Sequence, residues 1–180
     1  MKRAAELRQL SEDHHHGLVQ ARRLRSAASE ETGNLLEAAR AFLKFWRQET
    51  STHFRKEEEV LLPVLARHEV DLLGREPVVE MLAQHARIRG LAMQLADEAE
   101  AGDVRPETLR NTGELLETHI RLEERQVFPM IEESLSVEVL KEVASRFAVA
   151  EAGPGTEPWA SAEDLSYDPW PGPGDSEGGG

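Results

Sequence analysis

The sequence contains no cysteine, and this absence excludes several kinds of site at once. Thiolate zinc sites, iron–sulfur clusters, disulfide bonds and cysteine nucleophiles all need a residue that the chain lacks. Any bound metal ion must therefore rest on nitrogen and oxygen ligands. The sequence offers 7 His and 34 Asp plus Glu for that purpose.

Basic residues are outnumbered by acidic ones, 21 against 34, and long apolar runs are absent. The net charge of −13 argues against a nucleic-acid-binding face, because phosphate contacts need clustered Lys and Arg. No apolar run reaches the ~20 residues of a membrane span, and the first residues lack the apolar core of a secretory signal. We therefore predict a cytoplasmic protein that binds neither nucleic acid nor membrane.

The composition changes near residue 151. Residues 151–180 contain seven acidic and no basic side chains, and residues 153–180 contain twelve Gly or Pro. Such a segment buries too little apolar surface to fold alone. We predict one folded domain over residues 1–150 and a disordered acidic tail over residues 151–180. In the tail, three aromatic residues either form a docking motif for a protein partner or lie back on the domain: Trp159, Tyr167 and Trp170.

Apolar residues recur with helical spacing through the domain, and no alternating pattern of a β-strand occurs. The chain is predicted to be all-α. Short loops make consecutive helices antiparallel neighbours, so we expect an up-down-up-down four-helix bundle with a short fifth helix. The predicted helices begin near Lys2 or Ser11, after Gly33-Asn34, at Pro77, at Pro106 and at Ser136.

One stretch occurs twice, at an offset of 66 residues. The first copy is His53-Phe-Arg-Lys-Glu57-Glu-Glu-Val-Leu-Leu-Pro63, and the second is His119-Ile-Arg-Leu-Glu123-Glu-Arg-Gln-Val-Phe-Pro129. His and Glu four residues apart lie on one helix face, one turn from each other, which is a metal-ligand spacing. Each proline is expected to kink or end its helix.

Each of the four long predicted helices also places a histidine on its apolar face: His14 or His15, His53, His85 and His119. A lone inward histidine is more often a hydrogen-bonded core residue than a ligand. In the first helix, periodicity favours His14, which shares its face with Leu7, Leu10, Ala21 and Leu24. The alternative, His15, has Leu18 three residues later, as His85 has Ile88.

The repeated glutamates decide the interpretation. Burying Glu57 and Glu123 without a cation costs several kcal/mol each, and a dinuclear metal centre removes that cost. We interpret Glu58, Glu59 and Glu124 as solvated, because they project away from the histidine face. The predicted metal ligands are therefore His14, His53, Glu57, His85, His119 and Glu123.

This pattern resembles the hemerythrin-like, or HHE cation-binding, domain over about residues 10–133. Four motifs carry the resemblance: Asp13-His14, His53-Phe-Arg-Lys-Glu57-Glu58, Gln84-His85 and His119-Ile-Arg-Leu-Glu123-Glu124. The resemblance implies a non-haem di-iron centre with two iron ions and an oxo or hydroxo bridge. In such a centre Glu57 and Glu123 bridge the irons, and the four histidines are terminal ligands.

The oxygen-carrying members of that family have a second histidine where this chain has Arg89. Two octahedral irons offer about twelve positions, and the ligands above leave about two of them open. This favours binding of O2, peroxide or nitric oxide for sensing, scavenging or iron handling over reversible oxygen carriage. One alternative is an enzyme that consumes peroxide or nitric oxide, and another is an interaction module acting through the tail. Arg89 itself either bonds an outer carboxylate or points to solvent.

Overall fold

The computed structural model describes residues 3–29 and 34–151, and every regular element in those ranges is helical. Five helices follow in chain order: α1 at Arg8–Ser29, α2 at residues 35–68, α3 at Glu76–Ala101, α4 at residues 106–134 and α5 at Val137–Glu151. Short 3-10 turns lie at Ala5–Leu7 and Val70–Gly74. The all-α prediction is thus confirmed for the described ranges. The predicted tail motif of Trp159, Tyr167 and Trp170 lies outside them.

The helices α2 and α4 each carry a π-helical turn at the repeated stretch. These turns lie at Glu57–Leu61 and Glu123–Val127, and α2 has another at Trp46–Thr50. Proline lacks an N–H and crowds the preceding turn, so a local break in the α-helical pattern beside Pro63 and Pro129 is expected. Both helices nevertheless continue beyond their prolines. The structure therefore distorts each helix at the repeat without ending it.

Two apolar clusters form the core of the described residues. The Trp46 cluster includes Leu24, Trp46, Phe54, Ile88 and Leu109, and the Phe128 cluster includes Leu10, Leu61, Met81, Phe128 and Phe147. Along α1 and α3 the chain passes from the Phe128 cluster to the Trp46 cluster, and along α2 and α4 it passes back. On every one of these helices, a buried histidine lies near the change from one cluster to the other.

The helix α1 packs closely on α4, and two glycines permit the approach. A Cβ atom on Gly113 would lie 2.6 Å from the carbonyl oxygen of Ala21, and one on Gly17 would lie 2.7 Å from Ile120 Cδ1. The helix α3 packs on α4 and on the first part of α2, and α5 packs on the middle of α2. Among the described helices, none is long and apolar enough to cross a membrane.

Candidate metal centre

All six residues predicted to bind metal come together in the interior. Their side chains are at most 5% exposed, and both glutamates are completely buried. They form two overlapping groups whose ligand atoms lie within 4.8 Å of one another. One group is His14, His53, Glu57 and Glu123, and the other is Glu57, His85, His119 and Glu123. Both glutamates belong to both groups, so the two groups share a pair of carboxylates.

In the first group, hereafter the His14 group, nitrogen and oxygen atoms point at one another. His14 Nε2 lies 2.8 Å from Glu123 Oε2, and His53 Nε2 lies 3.4 Å from Glu57 Oε1. The two Nε2 atoms of His14 and His53 are only 3.1 Å apart. Two neutral imidazoles can satisfy such a contact only if one donates and the other accepts. A cation between the two nitrogens would bind both through their lone pairs.

The second group, hereafter the His85 group, also has histidine nitrogens close to carboxylate oxygens. His85 Nε2 lies 3.3 Å from Glu57 Oε2 and 3.6 Å from Glu123 Oε1. His119 Nε2 lies 3.1 Å from Glu123 Oε1, its neighbour one turn along α4. The His-x-x-x-Glu spacing therefore brings the histidine nitrogen and the carboxylate oxygen close together on one side of the helix, as the helical geometry requires.

Seven polar atoms of the two groups are left without a hydrogen-bond partner. All four carboxylate oxygens of Glu57 and Glu123 lack a hydrogen bond of normal geometry, and so do His85 Nε2 and both ring nitrogens of His119. A buried polar atom without a partner costs about 1–3 kcal/mol, and charged groups cost more. Nitrogen and carboxylate oxygen are suitable ligands for iron, manganese or zinc. The residues present therefore fit metal binding, and each of the two groups could hold an ion.

Two of the histidines are held from behind by carboxylates. His14 Nδ1 lies 2.7 Å from Glu124 Oε1, and His85 Nδ1 lies 2.6 Å from Glu58 Oε1. We call Glu58 and Glu124 the outer carboxylates. The sequence pattern predicts both as solvated residues, and this prediction is wrong because each reaches across to a histidine of another helix. A carboxylate on Nδ1 fixes the tautomer and leaves the Nε2 lone pair for a metal.

The remaining two histidines differ from each other. His53 Nδ1 lies 3.2 Å from Asp13 Oδ2, so a third carboxylate orients it. His119 Nδ1 is buried and has no hydrogen-bond partner. Three of the four histidines therefore point Nε2 into the interior with a carboxylate behind them.

The electrostatics of the metal-free chain follow from these contacts. Burial raises the pKa of both outer carboxylates, but hydrogen bonds from His85 and Arg89 to Glu58, and from His14, Ser11 and Arg3 to Glu124, lower it to about 2. Both are therefore ionised at neutral pH and act as hydrogen-bond acceptors. Burial lowers the pKa of His119 to about 4. Burial also lowers the pKa of His85, but hydrogen bonds to Glu123, Glu57 and Glu58 raise it overall to about 10. Metal binding to His85 would therefore release a proton.

The other candidate residues lie outside the cluster. His15 is exposed, and His16 is exposed beside Glu49, so the helix-1 histidine in the cluster is the one that periodicity favoured. Glu59 points outward to Arg55, as expected. Arg89 binds Glu58 through both oxygens, at 2.7 and 2.9 Å, which resolves the open alternative in favour of an outer carboxylate.

A small cavity of about 20 Å³ adjoins the His14 group. Its lining includes His14, His53, His119, Gly17 and Thr50. A space of this size is enough for one water-sized molecule. The centre therefore has room for a small ligand on one side.

These observations define a helical protein with a buried cluster of histidine and carboxylate side chains, which is a candidate cation-binding centre. The sequence matches the family model for hemerythrin, described as the Hemerythrin HHE cation binding domain, over residues 6–131. Because the match covers well over half of the chain, the protein belongs to this family, and the resemblance noted in the sequence is confirmed. Comparison with curated proteins and with solved structures gave no match.

Proposed function

We propose that the protein is a non-haem di-iron protein that binds O2 or a related small oxidant for sensing, scavenging or iron handling. The observation that carries this proposal is the pair of four-residue groups sharing Glu57 and Glu123. The His14 group would hold one ion and the His85 group the other, with both glutamates bridging. Iron is the metal that the family most commonly binds, and it would supply the redox chemistry.

The protein's own residues would perform three tasks in this function. The outer carboxylates orient His14 and His85. The apolar clusters on either side keep water away from the centre, which strengthens electrostatic interactions there. The cavity of about 20 Å³ beside the His14 group gives a small ligand space to approach the centre. The alternating order of the apolar clusters along the four long helices also supports the predicted up-down-up-down bundle.

Metal loading with a matched pair of variants tests the proposal. The wild-type protein should take up two Fe(II) ions per chain under anaerobic conditions and develop charge-transfer absorption in air. Glu57→Gln should lose this stoichiometry, whereas Glu59→Gln should keep it, because Glu59 is 55% exposed and pairs with Arg55. Fewer than two ions in the wild type, or equal uptake in the two variants, would contradict the assignment.

The cavity also supports a second candidate function, the consumption of peroxide or nitric oxide. Steady-state consumption should require the iron-loaded protein and should disappear in Glu57→Gln. Consumption that persists in that variant would exclude this centre as the cause. The cytoplasmic location inferred from the sequence stays a prediction, to be checked by fractionating cells that express the tagged chain.

A further inference from the structure

An arginine stands behind the His85 group. Arg89 donates from its two terminal nitrogens to the two oxygens of Glu58, at 2.7 and 2.9 Å, and Glu58 accepts from His85 Nδ1 at 2.6 Å. The guanidinium also lies 5.3 Å from the ring centre of Phe54, which stacks on His85 at 3.8 Å. Arg89 therefore reaches the same histidine by two routes, through a carboxylate and through an aromatic ring.

A second arginine repeats this arrangement behind the His14 group. Arg3 donates to Glu124 Oε2 at 2.7 Å, and the other oxygen of Glu124 lies 2.7 Å from His14 Nδ1. Its guanidinium lies 5.0 Å from the ring centre of Phe128, which stacks on His14 at 5.4 Å with the rings 7° from parallel. Arg3 also donates to Glu132 at 2.9 Å, so it is anchored on α4. The two arrangements thus have the same parts: arginine, outer carboxylate, phenylalanine and histidine.

The two arginines serve different groups. His14 belongs only to the His14 group, and His85 belongs only to the His85 group. Arg3 and Arg89 are also well packed, with side chains 16% and 24% exposed, so their orientation is restrained. Each arginine can therefore influence one histidine and, through that histidine, one proposed metal position. Arg3 also precedes residue 6, where the match to the family model begins.

We propose that Arg3 and Arg89 are positioning residues, each of which sets one of the two metal positions by holding an outer carboxylate against one histidine. This inference rests on the proposed function, because it assumes that the two groups bind two ions. The planar guanidinium holds a carboxylate in a defined orientation, which a single point charge does not. The carboxylate then fixes the tautomer and ring orientation of its histidine. Removing such a partner typically costs about 10–100-fold in metal affinity.

The test uses Zn(II), which suits these ligands and has no redox chemistry. The full-length protein, stripped of metal, is titrated calorimetrically as wild type, Arg3→Met, Arg89→Met and the control Arg121→Met. Arg121 is a suitable control because it is 49% exposed and pairs with Glu117 on its own helix. Nitrogen NMR of the imidazoles in the zinc-loaded protein reports on each histidine separately. The melting temperature of each metal-free variant measures any general loss of stability.

We expect Arg3→Met and Arg89→Met each to weaken one of two zinc-binding steps, by no more than the roughly 10–100-fold that loss of the carboxylate itself would cost. In Arg89→Met the Nδ1–H of His85 should exchange faster with water while that of His14 is unchanged, and Arg3→Met should show the reverse. Arg121→Met should match the wild type in both measurements. A purely structural role would instead lower the metal-free melting temperature and leave the histidine signals alike.

Two outcomes would overturn the inference. One is a zinc affinity of Arg3→Met and of Arg89→Met that equals that of the Arg121→Met control. The other is an equal change in the Nδ1–H exchange of His14 and of His85 within each variant. If the wild type itself binds fewer than two zinc ions, the proposed function fails first. The two failures are therefore distinguishable.

Discussion

The packing of α1 on α4 gives a quantitative prediction, because the chain offers two glycines in contrasting surroundings. Gly113 lies in α4, where a Cβ would sit 2.6 Å from the carbonyl oxygen of Ala21 and 2.9 Å from Arg25 Cγ. Gly90 lies on the exposed face of α3, where a Cβ would meet nothing within 4 Å. Neither glycine has positive φ, so alanine suits both backbones. The variants Gly113→Ala and Gly90→Ala therefore differ in the space available for the added methyl group.

The size of the effect follows from two contributions. Alanine in place of glycine within a helix stabilises by about 0.5–1 kcal/mol, and this gain is common to both variants. At Gly113 the new methyl meets a backbone carbonyl that can move only if α1 moves with it. Overpacking of this kind typically costs about 1–3 kcal/mol. Because the helical gain cancels in the comparison, Gly113→Ala should be about 1–3 kcal/mol less stable than Gly90→Ala.

Chemical denaturation of the metal-free proteins measures this difference, and thermal melting provides a check. For a domain of this size, 1 kcal/mol corresponds to about 2–4 °C, so the two melting temperatures should differ by roughly 2–12 °C. Gly90→Ala should melt at or above the wild-type temperature. Equal stabilities of the two variants would refute the close approach of α1 and α4. A displaced α1 would also carry His14 away from Glu123, so zinc affinity should fall in Gly113→Ala only.

Three further predictions concern other parts of the chain. His14→Ala should bind fewer than two metal ions per chain by metal analysis, whereas His15→Ala should still bind two, because His15 is exposed. Glu98→Gln should melt below the wild type at pH 7, and the gap should close as the pH falls below 4.5. Burial raises the pKa of Glu98, but hydrogen bonds, chiefly from Arg105, lower it overall to below its ordinary value of 4.5. The ionised carboxylate therefore stabilises the fold above that pH, and this stabilisation is lost when the carboxylate is protonated. A gap that widens in acid would contradict this sign. Deleting residues 153–180 should leave the metal stoichiometry unchanged, since every residue of the two groups precedes residue 124.

The helices and the cluster could be predicted from the sequence because both depend on local spacing. A histidine and a glutamate four residues apart must share a helix face, so His53 with Glu57 and His119 with Glu123 were visible as pairs. The position of His14 followed from the apolar residues on its face. These features need only the periodicity of a helix, which the sequence displays directly.

The outer carboxylates could not be found in the same way. Glu58 follows Glu57 by one residue, and that spacing places the two side chains on different faces of an isolated helix. Glu58 contacts His85 only because α3 packs beside α2. Arg3 and Glu124 are bonded to each other although they lie 121 residues apart in the sequence. The repeated Glu-Glu doublet, at residues 57–58 and 123–124, was the available signal. Its meaning depended on which helices are neighbours, and spacing along one helix does not contain that information.

The repeat also suggests a symmetry that the interior does not have. Asp13 precedes His14 and orients His53, and the corresponding residue before His85 is Gln84. Gln84 donates to Glu80, and its own side-chain oxygen is buried without a partner. Both histidines of the His14 group therefore have a carboxylate on Nδ1, but only one histidine of the His85 group does. Since such carboxylates raise the basicity of a metal-binding histidine, the two proposed metal positions should differ in affinity even though their proposed ligands are alike.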